Sequence, residues 1–170
     1  METRFQLAPM SRSIAVLTAV AWGVPVLFFV LAAFAPVPRF MVGVGVAVAV
    51  LYGAVWLWWR PASFLLTGAG LVLEFPGRRA LVEAREMTGA RRLEAPDFKR
   101  EFGFALRVGV GGLWGGFGWL WTRLGSWVEF YISRTDGFVL VERRGGTPLL
   151  LTPEDPEGFA EALRVQLGLS

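Results

Sequence analysis

Residues 14–59 read IAVLTAVAWGVPVLFFVLAAFA (14–35), PVPR (36–39) and FMVGVGVAVAVLYGAVWLWW (40–59). The first run has 22 residues and the second 20, and neither carries a charge. At 1.5 Å per residue they reach about 33 and 30 Å, which matches the hydrocarbon core of a bilayer. A link as short as Pro36–Arg39 predicts an antiparallel hairpin of two membrane helices with both ends on one side. A cleaved signal peptide fits poorly, because the first run is too long for its apolar region and a second span follows at once.

The flanks orient the hairpin. Arg4 and Arg12 precede it, Arg60, Arg78 and Arg79 follow it, and the link holds Arg39 alone. The excess of positive charge predicts both termini on the cytoplasmic side of the inner membrane. Trp56, Trp58 and Trp59 stand where an interfacial aromatic belt belongs. Small residues recur every four positions, as Ala15, Ala19 and Gly23 in the first span and Gly45, Ala49 and Gly53 in the second. Each set makes a stripe that lets a neighbouring backbone approach, either the other helix of the hairpin or a partner helix. No ionisable residue lies inside either span, which speaks against an ion or proton path through the hairpin itself.

Composition narrows the rest. The chain has 170 residues, 54% of them apolar and 18% charged, with no Cys and no His. Disulfides, Cys/His metal sites, thiol nucleophiles and imidazole bases are excluded. The pI is about 10.2, yet residues 60–170 hold fourteen basic and thirteen acidic residues, interspersed. A nucleic-acid surface would cluster its cations, so none is expected.

After Arg60 the periodicity changes to short β-prone runs broken by turn residues. The runs are Ser63–Thr67, Leu71–Phe75, Ala80–Val82, Met87–Leu93 with Gly89 as a bulge, Glu101–Val108, Trp127–Ser133, Phe138–Val141 and Thr147–Leu151. Asp136-Gly137 is the strongest hairpin signal. Thr152 as N-cap, Pro153 at the first helical position and Asp155 in the first turn predict a terminal helix, with Phe159, Ala162, Leu163, Gln166 and Leu167 near one face and Gly168 at its end. The expected organisation is an N-terminal segment (1–13), a hairpin (14–59) and a cytoplasmic β domain (60–170) of about seven strands capped by an α-helix. Phe5 and Leu7 alternate in the N-terminal segment, so residues 3–10 are free to add a strand to that domain.

This plan resembles the bacterial pleckstrin-homology-like (PH-like) membrane proteins. The resemblance rests on the hairpin, on Leu7-Ala8-Pro9-Met10-Ser11 before it, on Gly111-Gly112-Leu113-Trp114-Gly115, Leu124-Gly125 and Phe130-Tyr131-Ile132-Ser133, and on the Thr152–Phe159 stretch. It implies a PH-like barrel closed by the terminal helix, and no catalytic residues or cofactor. Phosphoinositide-reading PH domains carry basic residues in the first hairpin. Here that turn is Thr67-Gly68-Ala69-Gly70, without Lys or Arg.

The unusual stretch is Val108–Thr122, uncharged, with six glycines and Trp114, Phe117, Trp119 and Trp121. It lacks a dinucleotide or phosphate-loop pattern. It reads as a Gly-bent loop whose rings either fill the domain or contact the membrane surface or a partner. Arg78, Arg79, Arg91 and Arg92 are candidate contacts for anionic lipid. Asp97 and Glu101 flank Lys99-Arg100, with no partner for acid–base work. The expected function is a non-enzymatic interaction or scaffold module at the cytoplasmic face, binding another membrane protein or a second copy. A lipid-surface sensor and an accessory subunit of a transporter are the alternatives. No metal or cofactor is expected.

Overall fold

The structure is a computed structural model and describes residues 2–34 and 36–168. Ala35, the expected end of the first span, and the last two residues of the domain lie outside the described residues.

Two helices, α1 (Arg12–Ala32) and α2 (Pro38–Trp58), are each long and apolar enough to cross a membrane. They pack as a hairpin. Gly45 lies at their contact, where a Cβ would come to 3.2 Å from the Phe29 ring and 3.3 Å from Phe28 Cβ and would push these side chains back by a few tenths of an ångström. Pro25 sits inside α1 and has no N–H to give to the Ala21 carbonyl. The Tyr52 hydroxyl of α2 donates to that carbonyl at 3.2 Å, so the neighbouring helix satisfies what proline leaves open. Trp22 then packs edge-on against Tyr52, ring centres 5.5 Å apart.

The remaining chain forms ten strands among the described residues, in two sheets. The first is antiparallel, in the order β1 (Thr3–Gln6), β2 (Ser63–Thr67), β3 (Gly70–Glu74), β4 (Arg79–Glu83). Its outer strand comes from ahead of the hairpin: Phe5 pairs with Phe64, and the Leu7 N–H donates to the Ala62 carbonyl at 3.3 Å. The chain therefore leaves the sheet, runs through both apolar helices, and returns beside its point of departure. The N-terminal segment joins the β domain instead of standing apart from it.

The second sheet has the order β5 (Met87–Leu93), β9 (Phe138–Arg143), β10 (Leu149–Leu151), β8 (Trp127–Ile132), β7 (Gly116–Thr122), β6 (Ala105–Gly111). Only the β10–β8 pair is parallel. The expected bulge near Gly89 is a register shift between Met87 and Gly89. The sheets pack face to face around Phe64, Leu71, Phe117, Val139 and Leu151, joined by Phe159 and Leu163 of α4 (Pro156–Gln166). The outer face of the large sheet carries a second core, in which Phe102 of α3 (Ala95–Phe102) meets Leu120, Val128, Phe130, Phe138 and Leu140. The two sheets remain open, and no closed barrel forms.

Three expectations are corrected. Glu101–Val108 is not one strand: α3 ends at Phe102, Gly103 turns the chain at φ +68°, and β6 begins at Ala105. Phe98 and Phe102, four apart on one helical face, stack at 4.8 Å and draw the segment into a helix. Val108–Thr122 is a β-hairpin, not a loop. The terminal helix is capped by Asp155, whose carboxylate accepts from the Gly158 N–H at 2.9 Å, with Pro156 at the first helical position. Thr152 serves elsewhere: its hydroxyl accepts from the Ser133 N–H at 2.9 Å, and Ser133 Oγ donates to the Ala8 carbonyl at 2.6 Å. These bonds fasten the segment leading into α1 to the ends of β8 and β10.

Candidate functional site

The large sheet ends at β6, whose outer edge has no strand beside it among the described residues. Strand registers order the side chains of β6, β7 and β8 into rows on one face: Val110–Phe117–Tyr131, then Val108–Trp119–Glu129, then Leu106–Trp121–Trp127. The first row belongs to the core between the sheets, and Phe117 is fully buried. The small sheet does not reach the other two. Leu106, Val108, Trp119, Trp121 and Trp127 are all at least 40% exposed, and Phe104 and Leu124 beyond them are 81% and 71% exposed. Trp121 and Trp127 pack edge-on with ring centres 4.8 Å apart. An open strand edge beside a contiguous aromatic face is what a β-strand partner or an apolar surface would bind.

The opposite face of the same hairpin explains its glycines. Gly109 pairs with Gly118 and Gly111 with Gly116, leaving two bare rows. A Cβ on Gly116 would lie 2.8 Å from the Phe130 ring, and one on Gly111 would lie 2.7 Å from Arg107 Nη1. Phe130 and the Arg107 guanidinium lie flat on backbone there, 5.4 Å apart from cation to ring centre.

The hairpin tip rests on α1. Trp114 takes φ +55° in the turn, and its N–H donates to Thr18 Oγ1 at 2.8 Å. The Thr18 hydroxyl lies 2.9 Å from the carbonyls of both Gly112 and Ile14. The Trp114 ring meets Trp22 edge-on at 6.1 Å. Of the four aromatics singled out in the sequence, Trp114 touches an apolar helix, Phe117 is core, and Trp119 and Trp121 line the open face. Leu106, Val108 and Trp127 complete that face and were not singled out, since their membership depends on cross-strand register. Thr18 was also passed over; a lone hydroxyl inside an apolar run was its only signal.

The arginine pairs are separate. Arg78 lies at the end of α2, where its Nε donates to the Trp58 carbonyl at 2.9 Å and its guanidinium covers the Phe75 ring at 4.1 Å. Arg79 pairs with Glu74 at 3.0 Å. Arg91 and Arg92 lie on β5 and face carboxylates, Arg91 those of Glu101 and Glu142, Arg92 those of Glu94 and Glu157. The hydrogen bond to Glu101 leads in raising the Arg91 pKa, and the one to Glu94 in raising that of Arg92. Glu94 is in turn held below the usual carboxylate range, chiefly by Arg92. Arg60, just beyond α2, is half-buried, and loss of solvent lowers its pKa. Burial, followed by the Glu129 carboxylate, pushes the Tyr131 phenol up.

The small-residue stripes divide as well. Gly45 lies in the helix contact, and Ala49 is half-buried. Ala15, Ala19 and Gly23 lie exposed along α1, and a Cβ on Gly23 or Gly53 would meet open space. No family model, curated protein or solved structure matches the chain.

Proposed function

We propose that the protein is a membrane-anchored interaction module, with a PH-like β domain held by the α1–α2 hairpin at the cytoplasmic face of the inner membrane and both termini in the cytoplasm. Its partner is another membrane protein that lays an extended segment along β6. One observation carries this reading: Leu106, Val108, Trp119, Trp121 and Trp127 form an exposed apolar surface, bordered by Glu129, beside a strand edge that is unpaired among the described residues. Main-chain bonds along β6 would supply register, and Trp119, Trp121 and Trp127 the apolar contact. The orientation is supported by the arginines around α1 and α2 and by the β1–β2 pairing, which keeps both ends of the hairpin on one side.

The test is the intact mass of the full-length protein extracted in native lipid. A stoichiometric second protein, lost on Trp119→Ser with Trp121→Ser, is the expected result. Each buried Trp anchor of such an interface contributes about 2 kcal/mol or more. A monomer carrying lipid alone would overturn the reading and turn attention to the bilayer, for which the contact of Trp114 with Thr18 and Trp22 is the relevant observation.

A further inference from the structure

The far side of the large sheet is wider than the helix that covers it. Five inter-strand spacings of about 4.8 Å make the six-stranded sheet roughly 24 Å across. A helix with its side chains is only about 10 Å wide. Helix α3 lies over Phe138, with the Phe98 ring 6.5 Å from it. What remains between α3 and β6 is a groove of about 580 Å³, within the roughly 300–1,000 Å³ usual for small-molecule sites.

Its surface has a definite chemistry. The floor is Leu120, Ile132, Phe138 and Leu150, and the walls include Phe98 and Phe104. No acidic residue lines it among the described residues. Two cations do, Lys99 from α3 and Arg107 from β6. Neither forms an ion pair or donates a side-chain hydrogen bond among the described residues, whereas Arg100 next to Lys99 pairs with Asp97, and Arg91 and Arg92 on β5 are paired. An added strand has no place on the floor, because β7, β8, β9 and β10 beneath it are each paired on both sides; the free edge of β6 lies at the rim of the groove. One end of the groove lies close to the start of α1. Ile132 lines it, and the next residue, Ser133, accepts at its carbonyl from the Ser11 N–H at 3.1 Å, directly before α1.

We infer that this groove binds a single-chain anionic amphiphile, a long-chain carboxylate drawn from the adjoining bilayer, with the alkyl chain on the apolar floor and the carboxylate between Lys99 and Arg107. The two cations supply the charge complement. The apolar floor supplies the hydrophobic contact.

The full-length protein in nanodiscs of zwitterionic lipid, given a diazirine-bearing palmitic acid, tests this. Light-induced labelling should be saturable and fall on peptides from 95–107 and 120–138. Unlabelled palmitate should compete at least tenfold better than hexadecanol, and Lys99→Gln with Arg107→Gln should reduce that preference towards one. Labelling confined to α1 and α2, or equal competition by acid and alcohol, would overturn the proposal. The comparison of acid with alcohol needs no variant, so a substitution that disturbs folding does not affect it. It is also independent of any partner on the β6 edge.

Discussion

Pro25 and Thr18 are single residues whose effects reach other elements. Pro25 leaves the Ala21 carbonyl free, and Tyr52 takes it. Tyr52→Phe should therefore weaken the hairpin by about 1 kcal/mol, the usual net value of such a bond, read as a lower unfolding temperature in a fixed detergent. Thr18 holds the tip of the β6–β7 hairpin by accepting the Trp114 N–H. In Thr18→Val that donor loses its partner in apolar surroundings, at a cost of about 1–3 kcal/mol. The expected result is faster amide exchange across Gly112–Gly115, with little change in β9 and β10. Neither contact was legible in the sequence, where Tyr52 and Thr18 read as minor members of apolar runs. Both gain meaning only from residues far away along the chain.

Elements differ in how far their own residues declare them. The two apolar helices did so to within a few residues, because length and lack of charge are local properties; each helix begins two residues before its uncharged run, so Arg12, Pro38 and Arg39 are helical. The strands Ser63–Thr67 and Met87–Leu93 were legible as β-prone runs between turn residues. The β6–β7 hairpin was not, since glycine disfavours strands when judged alone. Its compensation comes from the next strand and from β6 itself: Phe130 of β8 and Arg107 cover the Gly111–Gly116 row. The open aromatic face was half legible for the same reason, with three of its five residues hidden behind register. At Gly118 the backbone has φ +134°, and a Cβ would lie 2.4 Å from the Val108 carbonyl oxygen. Gly118→Ala should cost about 1–3 kcal/mol, while Gly125→Ala, in open space though also at positive φ, should cost less. Thermal unfolding of the two variants side by side checks the ranking.

At the scale of the molecule, the hairpin is an excursion between two paired strands. Arg4 on β1 reaches the buried Glu74 carboxylate at 3.1 Å, and Phe5 meets the Phe159 ring edge-on at 5.1 Å. A fragment of residues 60–170 lacks this strand and exposes the edge of β2. It should unfold at a lower temperature than the domain in the full chain and bind an apolar dye. A peptide of residues 2–11 added in excess should restore stability, whereas the same peptide with Phe5→Asp should not. Equal stability with and without the peptide would show that β1 is dispensable. The alternation of Phe5 and Leu7 left such a strand open, but β1 is short and its partner follows only after both helices, so the sequence alone did not decide it.

The β1–β2 pairing has a consequence for biogenesis. The first strand leaves the ribosome before either apolar helix, and its neighbour emerges only after both have been threaded. Completion of the small sheet thus reports that the N-terminus stayed on the same side as the domain. A chain inserted with the wrong topology would be left with a bare β2 edge and an uncovered Phe159, features that proteolytic surveillance can recognise. If both helices cross a bilayer, folding of the domain would select chains whose N-terminal strand and domain share one side.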